Sequence, residues 1–470
     1  MKHLSVIDTL SKVGSEVELL GWVDSKRDHK KIIFIDLRDR TGKIQAVGNE
    51  SLRNLSPEDV VKVIGRIKER PERLINPKIP TGTIEMEITS YELLNKAETP
   101  PIPLDTDGYD IDEELRLKYR YLDLRRDRMA RALRLRSDYM YALRQELHAG
   151  EFTEVETPML TKSTKEGARD FLVPARLQPG KFYALPQSPQ QYKQLLMVAG
   201  VEKYFQFARC IRDEDLRADR GFEHTQLDLE MSFVERDDVM QTVESMVKNA
   251  IKAVGGKLQK DTFPVFTYQE ALFKFGADKF DLRTDAEKEQ GVLAFAWVVN
   301  FPFFKKVDTS DTAEVADGKS GWTFTHNPFS MPLPEHLEWH MNGEHIGEIM
   351  TTQYDLVCNG FEAGGGSIRA HKAEILEATY RIMGYTPEET EASVGHMIAA
   401  FKYGTPPHGG IALGIDRHAM VLAGEKSLKE AIAFPMSSGG KTAVMDAPSY
   451  VDESQLAELG ISVDNKEWAS

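Results

Sequence analysis

Residues 17–95 contain five short segments in which apolar and polar side chains alternate, separated by residues typical of turns. These segments are residues 17–23, 32–38, 44–47, 61–67 and 84–88. Alternation with a period of two is typical of strands with one buried face. Five such strands in about eighty residues predict a small closed barrel such as an OB-fold.

A second domain is expected because 470 residues exceed what one hydrophobic core usually supports. The residues between 98 and 103 include three prolines and indicate a linker. We therefore expect a barrel domain over residues 1–97, a linker or hinge over 98–128, and one large α+β domain over 129–470.

The second domain begins with a clear helical signal. Residues 129–148 have helical periodicity, and residues 152–156 form a predicted strand that stops before Pro158. Strands and helices are mixed from there onward. Glycine-rich turns are predicted at residues 364–366 and 409–410.

Composition excludes several classes of protein. No stretch approaches the ~18 to 20 continuous apolar residues of a membrane-spanning helix, and Asp8 interrupts the N-terminus before a signal peptide could form. We therefore expect a cytoplasmic protein. Cys210 and Cys358 are too few for a disulfide framework or a cysteine-rich metal site, so both are expected to be reduced packing residues.

A net charge of −15 argues against indiscriminate binding to a polyanion. A nucleic-acid partner is plausible only where basic residues cluster. Two such clusters occur, at residues 26–31 and 116–136. Taken alone, each is more often a solvated surface than a binding site.

The barrel has a candidate binding face. One face of the strand 32–38 carries the aliphatic residues Ile33, Ile35 and Leu37, which are expected in the core. Phe34 then points outward, and Gln45 on the next strand points the same way. An outward ring beside Arg27 suits base stacking, worth ~1 to 3 kcal/mol per base, and an amide can read a base edge. Packing of Phe34 under a loop is the alternative.

Two arginines from distant segments are candidate phosphate ligands. Arg212 ends a predicted strand, where a buried cation is costly unless it meets an anion. An ion pair with Glu214 or Asp228 is the alternative. Arg417 follows Gly414 at the start of a predicted helix, and the glycine leaves room for a planar base. Such a pair of arginines suits a bound triphosphate.

The segment 355–369 combines acids, glycines and an arginine. Asp355 and Glu362 supply the hard oxygen ligands that magnesium prefers. Three consecutive glycines allow the backbone to approach a ligand closely. A generic glycine loop is the alternative, but it leaves the flanking Glu362 and Arg369 unexplained.

Four longer segments carry a family resemblance: RYLDLRR at 120–126, LPQSPQ at 185–190, RDEDLRADR at 212–220 and YGTPPHGG at 403–410. They are similar to segments of the class II aminoacyl-tRNA synthetases, and within that class to the bacterial aspartyl-tRNA synthetases. The resemblance implies an anticodon-binding OB-fold, a catalytic domain built on an antiparallel sheet flanked by helices, and a homodimer.

The resemblance also implies the reaction, which is ATP-dependent attachment of L-aspartate to tRNA(Asp) through an aspartyl-adenylate, with Mg2+ as the metal. Charging of tRNA(Asn) is left open. The implied catalytic residues are Arg212, Glu214 and Arg417. The implied ATP-binding residues are Arg212, Glu214, His224, Glu362, Gly414, Ile415, Asp416 and Arg417. The implied metal ligands are Asp355, Glu362 and Ser367, and the implied anticodon readers are Arg27, Phe34, Gln45 and Glu85.

Selecting aspartate over asparagine requires cations that an amide would leave unpaired. Lys193 lies three residues after Gln190, so the two share a face on a helix. We assign Lys193 and Arg369 to the side-chain carboxylate of aspartate. The resemblance implies that Glu166, Gln190 and Asp228 surround its ammonium group, that Arg212 also contacts its α-carboxylate, and that His326 lies on a closing loop.

The chain departs from the bacterial family pattern at several positions. The bacterial family usually carries a large insertion between the second class motif, which residues 207–230 resemble, and the third, which residues 409–417 resemble; that insertion is missing here after residue 283. His224, Gly221 and Asn327 stand where the family usually has phenylalanine, glutamine and histidine. Two rival functions are a nucleic-acid-binding module that has lost catalysis and an amide-forming ligase. The intact Arg212, Glu362 and Arg417 disfavour the first, and the outward Phe34 disfavours the second.

Overall fold

The computed structural model describes residues 4–164, 167–310 and 312–463, without the side chains of residues 312 and 313. The chain divides into two compact units, Met1–Ile111 and Asp112–Ser470. The predicted linker, residues 98–128, spans the boundary between them. The predicted site residue Glu166 lies outside the described residues.

The first unit contains a closed five-stranded barrel, which confirms the predicted fold. Its strands are β1 (Glu16–His29), β2 (Ile32–Asp39), β3 (Gly42–Gly48), β4 (Val60–Glu69) and β5 (Ile84–Asn95). They pair in the order β1-β2-β3-β5-β4, with β3 and β5 parallel and the other pairs antiparallel. Ile33, Ile35 and Leu37 are fully buried in the barrel core, as their alternation predicts.

The second unit is built on an eight-stranded sheet, in the order β12-β14-β17-β18-β19-β10-β9-β6. Its six inner strands are antiparallel, which confirms the predicted architecture. The sheet strands are β6 (Thr153–Glu154), β9 (Lys203–Ile211), β10 (Glu223–Ser232), β12 (Val265–Thr267), β14 (Phe295–Val299), β17 (Tyr354–Cys358), β18 (Phe361–Ile368) and β19 (His408–Gly414). Short pairs are β7 (Leu172–Pro174) with β8 (Phe182–Ala184), β11 (Lys257–Leu258) with β13 (Val292–Leu293), and β15 (Phe304–Lys306) with β16 (Trp322–Phe324).

Thirteen α-helices lie among the described residues, and no helix there is both long and apolar enough to cross a membrane. They are α1 (Glu113–Lys118), α2 (Arg120–Asp123), α3 (Asp127–Ala149), α4 (Gln190–Val198), α5 (Arg236–Ala253), α6 (Tyr268–Phe275), α7 (Asp285–Glu289), α8 (Thr312–Asp317), α9 (Leu337–Asn342), α10 (Ala373–Ile382), α11 (Pro387–Phe401), α12 (Ile415–Ala423) and α13 (Glu453–Glu458). Apolar faces of α3 and α5 pack with the sheet into the main core.

Local sequence explains where α6 begins and ends. Thr267 caps its N-terminus by accepting a hydrogen bond from the Glu270 amide, and Glu270 caps the Thr267 amide in return. Gly276 ends the helix in the left-handed conformation, with a φ of 76°. Only α7 and β13 separate this helix from β14, so the connector is short, as the missing insertion predicts.

The predicted glycine-rich turns are wrong, because these glycines lie inside β18 and β19. They permit close approach of neighbouring strands. A β-carbon on Gly366 would lie 2.1 Å from the Gly410 carbonyl oxygen, and one on Gly410 would lie 2.0 Å from the Leu229 carbonyl oxygen. The glycines therefore allow the sheet to pack tightly beside the cleft described below.

The arginines of α1 and α2 are buried in an ion-pair network around Asp123. This carboxylate accepts four hydrogen bonds, from Arg116 at 3.1 and 2.9 Å, Arg120 at 2.8 Å and Arg126 at 2.7 Å. Arg116 also contacts Glu430, at 3.0 and 2.8 Å. This part of the basic run 116–136 is therefore a structural network rather than a solvated face or a nucleic-acid surface.

Substitution Asp123→Asn is expected to lower the free energy of unfolding by about 3 to 5 kcal/mol, because it leaves buried guanidinium groups uncompensated. Denaturant unfolding followed by circular dichroism measures the change. Asp285→Asn is a matched control, since the Asp285 side chain is 96% exposed and forms an ion pair with Lys288; it is expected to change stability by less than about 0.5 kcal/mol. Equal stability of the two variants would contradict the structural role of Asp123.

Candidate active site

A cleft of about 500 Å³ lies in the second unit over the middle of the sheet. Most of the predicted site residues line it. They are Gln190, Lys193, Arg212, Glu214, His224, Asp228, His326, Glu362, Arg369, Gly414, Asp416 and Arg417. Residues of α4, β10, β18, β19 and α12, and of the loop after β9, therefore converge on one cavity, although they are widely separated in sequence.

Three predicted residues do not line the cleft. Asp355 and Ser367 are 2% and 0% exposed, and Ile415 is fully buried in the main core. Ile415 therefore has no side-chain atom available to a ligand in the cleft.

Four charged side chains are buried together beside the cleft: Lys193, Asp228, Glu230 and Arg369. Lys193 Nζ lies 2.8 Å from Asp228 Oδ1 and 3.0 Å from Glu230 Oε2. Arg369 Nε donates to Glu230 Oε1 at 2.9 Å, and its Nη2 donates to Glu230 Oε2 at 3.3 Å. The structure therefore brings the two cations predicted to select aspartate onto one carboxylate.

Glu230 is the site residue that sequence reasoning missed. Burial opposes its charge, but Arg369 and Lys193 lower the pKa of Glu230 to about 2, so it stays ionised. Burial raises the pKa of Asp228, against the opposing effect of Lys193. A signal was present in the sequence, because Asp228 and Glu230 are two residues apart on one strand and therefore share a face.

Three polar atoms of cleft-lining residues have no hydrogen-bond partner among the described residues: Gln190 Nε2, Asp228 Oδ1 and Gln353 Oε1. Asp228 Oδ1 is nevertheless held in an ion pair by Lys193 Nζ, at 2.8 Å. Buried polar atoms are normally satisfied by protein, water or ligand. This end of the cleft can therefore accept both a donor and an acceptor from a small molecule.

Arg212 enters the cleft directly after β9. Its Nε donates to the Gln187 carbonyl at 3.3 Å, while its Nη1 is 3.9 Å from Glu214 Oε1. Glu214 lies closer to Arg220, at 2.7 Å. The ion pair of Arg212 is thus long, which leaves its guanidinium available to an anion.

Arg417 occupies the first turn of α12. Its Nη1 donates to the Glu362 carbonyl at 2.9 Å, and its Nη2 lies 3.4 Å from Asp219 Oδ2. Glu362 is held at its carboxylate by Lys279 Nζ, at 2.8 Å. Burial opposes the charge of Glu362, but Lys279 and Arg417 lower its pKa to about 2.

Asp416, beside Arg417, is engaged on both oxygens. Oδ1 accepts from Arg136 of α3 at 2.5 Å, and Oδ2 accepts from the Thr225 amide of β10 at 2.8 Å. Asp416 therefore ties α3, β10 and α12 together. This arrangement positions Arg417 and leaves little capacity for a direct contact with a ligand.

The predicted metal ligands are only partly assembled. Asp355 Oδ1 accepts from Gln353 at 2.7 Å, and its Oδ2 lies 3.4 Å from His326 Nε2. Ser367 is five residues beyond Glu362 on β18, roughly 15 Å along a strand, and its hydroxyl contacts Ser330 and Arg369. Over the described part of the chain, no group of three or more His, Cys, Asp or Glu side chains is placed to hold a metal.

His224 lies among four arginines. Burial, with Arg212, Arg417 and two further arginines, lowers the pKa of His224 well below its ordinary value. Gln226 Nε2 is 3.1 Å from His224 Nε2, while Gln226 Oε1 accepts from the Cys210 thiol at 3.4 Å. With this amide orientation, His224 Nε2 accepts and its Nδ1 carries the proton. A neutral imidazole therefore faces the cleft.

The four predicted residues of the barrel face form one connected group. Gln45 Nε2 donates to Glu85 Oε2 at 3.0 Å, and Arg27 Nη2 donates to Gln45 Oε1 at 3.1 Å. The Arg27 guanidinium lies 5.9 Å from the centre of the Phe34 ring. An aromatic face, a cation, an amide and a carboxylate thus lie side by side on the outside of the barrel.

Family models match both units. A model of class II tRNA synthetases (D, K and N) matches residues 112–438, and a model of OB-fold nucleic acid binding domains matches residues 17–94. The chain therefore belongs to the class II tRNA synthetases of the D, K and N group, with an OB-fold domain at its N-terminal end.

Two relatives are similar to this chain over nearly its whole length. The chain is 39% identical to the aspartate–tRNA(Asp/Asn) ligase of Moorella thermoacetica over 574 aligned positions, which cover 96% of this chain and 95% of the relative. It is 37% identical to the aspartate–tRNA ligase of Macrococcus caseolyticus, with 98% of each chain covered. Because 574 aligned positions exceed the 470 residues of this chain, the Moorella relative carries residues with no counterpart here.

Solved structures share the fold. Asparaginyl-tRNA synthetase from Pyrococcus horikoshii, complexed with asparaginyl-adenylate, matches with a TM-score of 0.72 and 22% identity, covering 93% of this chain and 98% of that one. Aspartyl-tRNA synthetase from Entamoeba histolytica matches with a TM-score of 0.70 and 20% identity, covering 92% and 91%. At these identities the similarity establishes the fold.

His224 is expected to remain neutral at neutral pH, because burial and the surrounding arginines lower its pKa. NMR of the 13C-labelled imidazole groups measures this, with the His224 signal assigned from its loss in His224→Phe. The signal is expected not to titrate between about pH 6 and 8, whereas free histidine in the same sample titrates near about 6.5. A titration of His224 close to that of free histidine would contradict the neutral imidazole.

Proposed function

We propose that this chain attaches L-aspartate to the 3′ end of tRNA, using ATP and passing through aspartyl-adenylate. The observation that carries the proposal is the shared contact of Lys193 and Arg369 with Glu230 in a cleft that Arg212 and Arg417 also enter. The aspartate–tRNA ligases among the relatives support the same reaction.

Recognition of aspartate rests on the buried charges. The side-chain carboxylate of the substrate binds between Lys193 and Arg369, whose positions are fixed by Glu230. An asparagine amide would place an N–H group against these cations and leave them without an anion. The substrate ammonium group binds at the buried carboxylate of Asp228, with Gln190, whose Nε2 has no hydrogen-bond partner among the described residues, beside it.

Activation requires no enzyme nucleophile. The α-carboxylate of aspartate attacks the α-phosphorus of ATP in line with the departing pyrophosphate. Arg212 stabilises the charge that develops on the α-phosphate, and Arg417 holds the γ-phosphate. The adenine stacks on the neutral His224 ring above Gly414, where the nearest atoms to an added β-carbon are 3.9 Å away.

We propose Asp355 and Glu362 as the protein ligands of a magnesium ion. Their oxygens are hard donors, and Glu362 lines the cleft beside Arg417. Mg2+ typically binds through one or two carboxylates and completes its coordination with water and substrate phosphates. When bound, the ion would neutralise charge on the phosphates. We do not assign Ser367 to it, because of its distance along β18.

The barrel face reads the anticodon in this proposal. Phe34 stacks on a base, and Arg27, Gln45 and Glu85 offer donors and acceptors to base edges. We further propose that the enzyme acts in the cytoplasm as a homodimer, since α3 and β6 resemble the dimer-forming first motif of the class. The relatives named for tRNA(Asp/Asn) make tRNA(Asn) a second substrate to test.

Aspartate-dependent exchange of pyrophosphate into ATP tests the first step directly. The purified chain is expected to catalyse exchange with aspartate and not with asparagine or lysine. Charging of purified tRNA(Asp) and tRNA(Asn) then defines the tRNA substrates. Equal exchange with aspartate and asparagine would refute the amino-acid assignment.

Substitution Lys193→Met is expected to lower kcat/KM for aspartate in the exchange reaction by about 30-fold or more, because truncating one partner of a buried charge pair costs about 2 to 5 kcal/mol. The KM for ATP is expected to change little. Lys203→Met is the matched control, because Lys203 contacts the Gly150 carbonyl away from the cleft. A folded Lys193→Met enzyme with unchanged aspartate kinetics would exclude this role.

Substitution Phe34→Ala is expected to lower kcat/KM for tRNA charging by about 10-fold, in line with the loss of one stacked base. Exchange without tRNA is expected to be unchanged, because it does not use the barrel. Lys62→Ala is the matched control, since Lys62 pairs with Glu92 elsewhere on the barrel surface. If charging by Phe34→Ala equals that of the control, the barrel face is not the anticodon reader.

A further inference from the structure

Lys279 contributes a cation to the cleft that no role described above uses. It lies on the short connector that follows α6, three residues after the helix-ending Gly276. Its Nζ is 2.8 Å from Glu362 Oε2, and its side chain is 42% exposed. Both Asp278 and Lys279 line the cleft.

Lys279 and Arg417 flank the same carboxylate. Arg417 Nη1 lies 4.0 Å from Glu362 Oε2, the oxygen that Lys279 contacts. The ammonium group of Lys279 is therefore a close neighbour of the guanidinium that the proposed function places on the γ-phosphate. A triphosphate seated on Arg417 would have Lys279 within reach.

Lys193 and Lys279 differ in how easily their ammonium groups can move to a new partner. Lys193 is 1% exposed and contacts two buried acids, so moving it would leave those acids uncompensated. Among the described residues Lys279 makes one ion pair, with Glu362, and its side chain is 42% exposed; such partly exposed ion pairs are weak. Its ammonium is a compact charge on a flexible stem with three donors, and it can change partners at small energetic cost.

Glu362 is also the more accessible of the two carboxylates proposed for magnesium, with 29% side-chain exposure against 2% for Asp355. Any divalent ion bound to Glu362 would compete with Lys279 for the same oxygen. A displaced Lys279 would then lie beside the phosphates, with Asp278 and Asp355 as its remaining acidic neighbours. The charge of the ammonium group would be best satisfied by the phosphate oxygens.

We propose that Lys279 is a further ATP-binding residue. In the free enzyme its ammonium group neutralises Glu362. Once a divalent ion engages Glu362, Lys279 binds the β- and γ-phosphates, which leave as pyrophosphate. The inference rests on the proposed function for the position of the phosphates. It assigns to the connector a direct contact with the leaving group, in addition to its role in joining α6 to β14.

The first test is binding of inorganic pyrophosphate to the full-length chain, measured by isothermal titration calorimetry in the presence of Mg2+ and without amino acid. Lys279→Met is expected to weaken binding by about 10-fold or more, the loss of one hydrogen bond to a charged group. Lys279→Arg, which keeps the charge, is expected to retain affinity within about threefold. Pyrophosphate affinity of Lys279→Met equal to that of the unmodified chain would overturn the proposal.

Lys288→Met is the matched control, because Lys288 is an exposed lysine of the same connector that forms an ion pair with Asp285. It is expected to leave pyrophosphate affinity unchanged. An equal loss of affinity in Lys279→Met and Lys288→Met would show a general effect of charge and would also overturn the proposal.

The second test uses kinetics of aspartate-dependent exchange. Lys279→Met is expected to raise the KM for ATP and the KM for pyrophosphate while leaving the KM for aspartate unchanged. A raised KM for aspartate alone would count against the phosphate contact. Absence of exchange in the unmodified chain would refute the proposed function, whereas a Lys279-dependent affinity for pyrophosphate would still support the phosphate site.

Discussion

The burial of two cations and two acids side by side, Lys193, Arg369, Asp228 and Glu230, is the constraint on which the catalytic unit depends. Each charge is tolerated because an opposite charge lies within about 3 Å, and isolated charges at such depth are strongly disfavoured. The four side chains come from α4, from β10 and from the residue after β18. These elements must therefore meet in one register, and Gly410 on β19 is required as well, because a β-carbon there would lie 2.3 Å from Glu230 Oε2.

Sequence reasoning predicted the barrel from physical pattern alone, because a half-buried strand must alternate and Ile33, Ile35 and Leu37 do so. It predicted the antiparallel sheet of the second unit through the resemblance of motifs. The glycines at 364–366 were misread because the same residue serves both turns and close strand packing. Only the neighbouring strand distinguishes the two, and that neighbour, β19, lies more than forty residues further along the chain.

Much of the candidate site was predicted, since twelve predicted residues line one cleft. The failures concern contacts that depend on distant partners. From its sequence neighbours Arg116 looks like a surface cation, because its buried partner Glu430 lies 314 residues away in the chain. Glu230 was missed because its importance lies in being shared by two cations. Ser367 and Glu362 lie on the same strand. They are close in sequence, but the extended backbone of a strand places them far apart in space.

The polar side chains on the outside of the barrel satisfy one another before any partner arrives: Arg27 with Gln45, and Gln45 with Glu85. An RNA base that docks there must replace these hydrogen bonds with hydrogen bonds of its own. For a base that can do so, the net enthalpy is small. For a base that cannot, the net enthalpy is unfavourable. In the proposed anticodon contact, the attraction would come from the Phe34 ring and from contacts with the RNA backbone. The barrel surface would then act as a filter, in which stacking on Phe34 retains the RNA and the polar side chains reject bases that cannot replace the hydrogen bonds they displace.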